Sequence, residues 1–448
     1  MGIQARGIGG TILAAALLPW LLVHPASGEL DFEPCVQYVT GGWNCTGIAL
    51  ADFDLDGDLD VYTSHRSTND VIVMRNDGNG NFESAGGCGV GIMPRYVRSG
   101  DLNGDGWPDF ATPDYNGSTV SIGLHDGADG LELHQTLYLY KPTILDLADV
   151  DLDGDVDVIV PHWDETAEQP SAAPSLVTVL LNDGTGTFGY GASVSIGVQP
   201  RGMVIDDFNG DGYPDVLVCN LKSSDLDLLL NAGDGSFHPS QWILGPLTPR
   251  EVCTGDWNGD GEVDYAVVSK TLNRVYFMVN DGHQQFSQWA ESTTGSSPHS
   301  CAAMDLDGDE DMDVVVSHVG AETMSVYENT GTTFASPVEF VSPSGAAEVL
   351  IGHLDGDSLP DIVTGNSNDA TISVHINDSE AGDPNPGDSC IGDINLDGMV
   401  NVMDMLQVIS HWGDCDEGAC TAADLNDDEA VDVLDLQLVL NVWGDCDA

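Results

Sequence analysis

The chain is expected to be mainly β: a seven-bladed β-propeller followed by a small all-α domain. Two observations predict this. One acidic stretch recurs seven times at near-constant spacing, and near the C-terminus the apolar pattern changes from strand-like to helical. The stretch is first met at 51–62, ADFDLDGDLDVY, where Asp52, Asp54, Asp56 and Asp60 alternate with apolar residues and Gly57 marks a sharp turn. Carboxylates at every second position of a tight loop point together and repel one another unless a hard cation lies between them. Calcium accepts many oxygens in loose geometry, whereas magnesium prefers fewer ligands and keeps its water. Calcium loops are therefore the expected frame of the fold.

The units are set by two marks. The first acids are Asp52, Asp101, Asp149, Asp207, Asp256 and Asp305, with His353 in the seventh unit, at steps of 49, 48, 58, 49, 49 and 48 residues. Asn76, His125, Asn231, Asn280, Asn329 and Asn377 each lie 24 positions after their loop start, while Asn182 lies 33 after, which places a nine-residue insertion in the third unit. β-rich runs such as RVYFMVN lead into turn phrases such as NDGNGNF. About four short strands per unit at this period is the signature of a propeller blade, and a β-solenoid would need much shorter repeats. The seventh unit stops at Asn377-Asp378-Ser379 without an outer strand. Residues 35–39 are expected to supply that strand and close the ring, which removes an exposed edge.

The expected ligands in the first three loops are Asp52, Asp54, Asp56 and Asp60; Asp101, Asn103, Asp105 and Asp109; and Asp149, Asp151, Asp153 and Asp157. The next three supply Asp207, Asn209, Asp211 and Asp215; Asp256, Asn258, Asp260 and Asp264; and Asp305, Asp307, Asp309 and Asp313. The seventh supplies Asp355, Asp357 and Asp361. The phrases DLNGDGWPD, DFNGDGYPD and DWNGDGEVD resemble FG-GAP/VCBS repeats, the family that includes the integrin α-chain propeller. This resemblance spans roughly residues 31–380. It implies calcium in the loop joining the first two strands of a blade, on the face opposite the usual ligand-binding face. The sixth loop departs with Glu310 at the glycine position, and the seventh with His353 at the first position and Ser358 for glycine.

Beyond the linker the chain carries Asp393, Asn395, Asp397, Gly398, Asn401 and Asp404 at positions 1, 3, 5, 6, 9 and 12 of an EF-hand-type loop. Asp424, Asn426, Asp428, Asp432 and Asp435 repeat the pattern 31 residues later, with Glu429 at the glycine position. This duplicated loop-helix is similar to a type I dockerin, which implies a cohesin-like or other extracellular protein partner. Positions 10 and 11, which carry recognition in the cellulosomal type, are here Val402-Met403 and Val433-Leu434, so a docking role of another kind stays open. With pseudo-two-fold packing of the two halves, Cys390 is expected near Cys446 and Cys415 near Cys420. The six propeller cysteines admit 15 pairings, among which the sequence does not choose.

The expected domains are a signal peptide (1–28), the propeller (29–380), a linker (381–389) and the dockerin-like domain (390–448). Arg6, the apolar run 12–23 and the small residues Ala26-Ser27-Gly28 read as a secretory signal, and no later run approaches the length of a membrane span. The expected location is extracellular, either free or at the cell surface, and ten cysteines suit an oxidising compartment. With 74 acids against 11 bases, the formal charge of −63 argues against nucleic acid and anionic membranes as partners. Seven to nine calcium ions are expected, and nine would bring the charge to −45.

The register also locates a candidate binding face. Six residues before each loop start stand Thr46, Arg95, Thr143, Arg201, Arg250, His299 and Ala347. Thirteen after stand His65, Asp114, His162, Asn220, Ser269, His318 and Asn366. Blade geometry puts both rings on the face away from the acidic loops. Seven of the eleven bases, Arg66, Arg95, Lys141, Arg201, Lys222, Arg250 and Lys270, fall at or beside them. The insertion of the third unit emerges on that face beside His162 and Trp163. The expected ligand is an anionic or hydroxyl-rich carbohydrate, held by Arg95, Arg201, Arg250 and His299, with His65, His162 and His318 nearby and Trp163 stacking on a sugar ring. The competing reading is that each Arg pairs with a neighbouring blade. No nucleophile elbow, P-loop, HExxH or Rossmann motif occurs, so no catalytic residue is assigned. Three functions remain: a non-catalytic binding or adhesion module linked to extracellular polysaccharide, a polysaccharide lyase acting through the Arg/His face, and a structural component of an extracellular assembly.

Overall fold

The computed structural model describes Leu30 and residues 32–379 apart from 129, 165–172 and 343–344, together with four two-residue strands of the C-terminal region. Residues Ser27–Asp383 form one compact unit. It holds seven four-stranded antiparallel sheets, a seven-bladed propeller, and no helix among the described residues. The first blade is made by Cys45–Ala51, Asp60–His65, Asp70–Asn76 and Phe82–Gly89, paired in chain order. Five further blades repeat that order from Arg98 to Val341.

The seventh blade takes its first three strands from Ala346–Gly352, Asp361–Asn366 and Thr371–His375, and its fourth from Val36–Val39 at the other end of the chain. Val36 pairs with Val374 and Val39 with Thr371, and Phe32 bridges to Asn377. The ring thus closes as the missing outer strand requires, and the sheet edge left by the last repeat is covered.

Burial explains the strand sequences. The second strand of each blade, DVVVSH or DYAVVS for example, is covered on both faces and is buried at every position but Trp163, which ends that of the third blade. Outer strands such as Val338–Val341 expose most of their residues. The core consists of separate clusters between neighbouring blades. One packs Trp257, Phe277, Val314 and Tyr327 between the fifth and sixth blades, and another packs Ile48, Val61, Ile372 and Val374 across the closure. The first strands of adjacent blades pack together around the axis, from Cys45–Ala51 round to Ala346–Gly352.

The expected signal segment, the linker, the ten loop ligands expected between Asp393 and Asp435, and the pairings Cys390–Cys446 and Cys415–Cys420 lie outside the described residues. In the C-terminal region Met399–Val400 pairs with Gly444–Asp445, and Gly413–Asp414 with Ala430–Val431. Adding 31 to Met399–Val400 gives Ala430–Val431 and adding 31 to Gly413–Asp414 gives Gly444–Asp445, so these short strands obey a pseudo-two-fold relation. No helix among the described residues is long and apolar enough to cross a membrane.

Candidate functional site

Each acidic loop connects the innermost strand of a blade to the second. In the first loop the Asp52 carboxylate accepts the N–H groups of Asp56 and Gly57, each at 3.0 Å. The first carboxylates of the next four loops, Asp101, Asp149, Asp207 and Asp256, accept backbone N–H groups from the same two positions. Asp305 in the sixth loop accepts those of Gly308 and Glu310. The last acid of each loop is anchored differently. Asp60 is fully buried and accepts Phe53 N–H at 2.8 Å and Asn76 N–H at 2.7 Å, so it ties the loop to the second and third strands.

In three loops carboxylate oxygens converge within 4.8 Å of one another: Asp52, Asp54 and Asp60; Asp149, Asp151 and Asp157; and Asp305, Asp307 and Asp313. In each of these the third-position acid (Asp54, Asp151 or Asp307) keeps one buried oxygen with no hydrogen-bond partner. Burial, and then the neighbouring loop carboxylates, raise the pKa of Asp54 and Asp151 and push that of Asp307 up to about 7. A hard divalent cation would answer both the orphaned oxygens and the crowding, so the residues fit calcium. Loops two, four and five replace the third acid by Asn103, Asn209 and Asn258, neutral oxygen donors. The seventh loop is built otherwise. His353 accepts no backbone N–H from its loop, and its Nδ1 faces the Leu359 carbonyl at 3.2 Å.

At the other end of the innermost strands the two residue rings have different fates. His65 is fully buried, with Nε2 2.8 Å from Thr40 Oγ1 and Nδ1 3.0 Å from Asp70. His162 is buried, with Nε2 2.8 Å from Thr178 Oγ1 and Nδ1 3.0 Å from the Trp163 carbonyl. His318 meets Thr323, Ser325 and the Gly295 N–H, and burial lowers it to about 4, which keeps it neutral. Asp114, Asn220 and Asn366 likewise bond to their own third strands. This ring ties the second strand to the third strand of its blade or to the crossover beside it, and does not face a common site.

The other ring converges. Arg201, Arg250 and His299 lie near the starts of the first strands of the fourth, fifth and sixth blades, and Arg95 just before that of the second; Arg66 and Lys270 join them, each near enough to feel the others' charge. Burial, then the charges of Arg201 and Arg66, hold Arg95 down to about 9, and burial and Arg250 hold Arg66 down to about 10. Burial and Arg250 push His299 well below the usual imidazole range, and its Nε2 accepts from Arg250 Nη2. Arg250 Nη1 donates to the Tyr96 hydroxyl at 3.3 Å, and that hydroxyl donates to Glu251 at 3.1 Å. Burial raises Glu251 to about 8, so its carboxyl is largely uncharged at neutral pH. Arg95 lies over the Tyr115 ring at 3.5 Å, with Lys141 at 4.6 Å from the same ring and Trp163 edge-on to it at 5.9 Å.

Tyr96, Tyr115 and Glu251 carry no register signal, and the sequence reading did not single them out. Nor did it find Trp43, 62% exposed beside Arg66, since Trp43 lies in the crossover from the closing strand into the first blade. A cleft of about 420 Å³ between the third and fourth blades is lined by Asp146, Asp206 and Asp207 and lies apart from these cations. Among the six propeller cysteines, all free thiols, Cys253 and Cys301 are near enough for their side chains to hydrogen-bond.

No curated protein sequence matches the chain. Among solved structures it is similar to BBS1N in complex with ARL6DN, in a mercury-soaked crystal: TM-score 0.56, 12% identity, 80% of this chain and 99% of that one covered. The lead-soaked crystal of the same complex gives TM-score 0.55, 12% identity, and coverage of 77% and 96%. An Agrocybe aegerita lectin that recognises non-reducing terminal N-acetylglucosamine gives TM-score 0.48 and 17% identity over 73% of this chain and 94% of its own. At such identities the first two bear on the fold alone. Residues 391–442 match the dockerin type I domain. The FG-GAP-like repeat matches at 52–112, 149–218, 207–267 and 256–316, each match beginning on the first residue of an acidic loop. These matches cover just over half of the chain, which therefore belongs to the FG-GAP-like repeat family and carries a type I dockerin domain at its C-terminal end.

Proposed function

We propose that the protein is a secreted, calcium-dependent, non-catalytic binding module, docked to another extracellular protein through its dockerin domain and serving extracellular polysaccharide binding or breakdown. The observation that carries the calcium part is the recurring third-position carboxylate with an orphaned buried oxygen, at Asp54, Asp151 and Asp307. Calcium would be held by the first, third, fifth and last residues of loops one to six, and by the two dockerin loops. It would supply no chemistry beyond neutralising and fixing those loops. The chain's own residues do the remaining work: backbone N–H groups orient the first carboxylate, and the last one pins the loop to the blade.

Calcium titration with thermal melting tests this. Chelation with EDTA is expected to lower the melting temperature of the propeller by well over ten degrees, since a ligand that binds only the folded state stabilises it by mass action. Asp54→Ala and Asp151→Ala, which remove the oxygen donor that Asn103, Asn209 and Asn258 keep in other loops, are each expected to remove one ion from the count seen by native mass spectrometry. A melting curve indifferent to EDTA overturns the proposal. For the docking part, binding to a purified type I cohesin should be lost on chelation. The rival reading as a lyase on an acidic glycan needs a His or Tyr base, and of the candidates His65, His162 and His318 are each buried and bonded. It would show as growing absorbance of unsaturated products.

A further inference from the structure

We infer that the convergent arginines Arg66, Arg95, Arg201 and Arg250 form an oxyanion site for the carboxylate or sulfate groups of an acidic glycan, with Trp43 as the platform for a sugar ring. The inference rests on the reading of the propeller as an extracellular binding module and names its ligand class.

The argument starts from scarcity. Eleven basic residues face 74 acidic ones, so an internal counter-ion is available almost anywhere in this chain. Elsewhere the arginines take one. Arg75 meets Asp54 at 2.8 Å, Arg98 meets Glu348 at 2.7 Å and Asp146 at 3.4 Å, and Arg274 meets Glu291 at 2.7 Å. At the mouth of the axis no described carboxylate pairs with Arg66, Arg95 or Arg201, and Arg250 has only Glu251 at 3.9 Å. The Nε atoms of Arg66 and Arg95 are shielded from solvent and have no acceptor. Arg66, Arg95 and Arg201, brought together with no counter-ion among the described residues, repel one another and Arg250, and a purely structural role would have paired them as Glu251 pairs with Arg250.

The cluster is also held in place. Tyr115 fixes Arg95 from its face and Tyr96 fixes Arg250, which leaves in-plane N–H groups for the bidentate geometry that carboxylate and sulfate accept. The aromatic partner comes from Trp43. Its carbonyl accepts Ser67 N–H at 3.2 Å, and the Asn44 carbonyl beside it accepts Arg66 N–H at 3.1 Å, so the backbone that carries this exposed indole is paired with the backbone that carries Arg66. An exposed ring beside a guanidinium group suits a pyranose that carries a negative charge.

The test uses the full, calcium-saturated chain in calorimetry and thermal melting at constant ionic strength. The probes are inorganic sulfate, a galacturonate oligomer, a sulfated galactan oligomer and a neutral galactan oligomer. At least one acidic oligomer is expected to bind and raise the melting temperature, with the neutral one silent. Arg95→Gln and Arg201→Gln should each weaken binding at least tenfold while leaving the ligand-free protein as stable or more stable, because a repelling charge is removed. Trp43→Ala should weaken the oligomer and spare inorganic sulfate, and Arg274→Gln should change nothing. Binding of inorganic sulfate alone overturns the glycan assignment. Variants that lose stability but keep affinity overturn the site, as does a calcium-responsive protein to which no probe binds. Indifference to EDTA instead would mean that the module reading itself had failed.

Discussion

Asn280 serves three neighbours through one amide. Its Nδ2 donates to the Phe208 carbonyl of the preceding blade at 3.0 Å and to the Val263 carbonyl at 3.2 Å, while its Oδ1 accepts Gly282 N–H at 3.2 Å. Its own N–H goes to Asp264 at 2.7 Å. Asn76, Asn182, Asn231, Asn329 and Asn377 make the same reach to a loop carbonyl of another blade, so the second register mark is a clasp between blades. The second unit has His125 at this mark. Its ring stacks on Trp107 at 4.4 Å and lies edge-on to Phe53 of the preceding blade at 4.5 Å. Asn280→Ala would leave buried carbonyls without a donor, and the expected loss in urea unfolding at saturating calcium is about 2 kcal/mol. A loss below about 0.5 kcal/mol would show that the clasp is redundant. The sequence revealed the mark but not its purpose, since a repeated Asn at a strand end has the same spacing whether it caps its own turn or holds the next blade.

Among elements, the acidic loop is the most legible and also the most uneven. Its alternating acids could be read directly, because ligand spacing is local. That the last acid is a staple, with both oxygens of Asp60 on backbone N–H groups, depends on the third strand and was not legible. The same limit applies to His65, His162 and His318: register placed them correctly at strand ends, but only cross-strand partners reveal that they are buried. The sixth loop carries a measurable irregularity. Glu310 stands where other loops have Gly57 or Gly106, and it takes the left-handed conformation at φ 73° while its N–H bonds to Asp305. A side chain in that region costs roughly 1 kcal/mol. Glu310→Gly should therefore stabilise the calcium-loaded protein by up to about 1 kcal/mol, less the entropy gained by the unfolded chain, with the calcium count unchanged. Destabilisation would mean that the Glu310 carboxylate serves the loop.

For the molecule as a whole, the decisive event is closure. The strand Val36–Val39 pairs with Thr371–His375, and its flanks add Glu33 N–H to the Ile376 carbonyl at 2.9 Å and Thr40 N–H to the Ala370 carbonyl at 2.8 Å. Closure also reaches the inner layer, since Thr40 Oγ1 meets His65 in the first blade. It was legible because a missing outer strand at one end and a spare strand at the other imply one another. The arginine cluster was legible only in part. Register found Arg95, Arg201 and Arg250, while Trp43 and Tyr96 depend on how closure and the first strands bring the crossover to the axis. Pairing ends more than 330 residues apart is slow, and until it happens the Thr371–His375 edge is open to other chains. Deleting residues 30–39 makes that state permanent. The truncated chain should lose cooperative melting, and in size-exclusion chromatography with calcium it should elute as larger species than the intact protein, through edge-to-edge pairing. Adding a peptide of residues 30–40 should reverse part of that shift, because it restores the covering strand. A truncated chain that elutes and melts like the intact one would mean that packing between blades, without the closing strand, is enough to hold the ring.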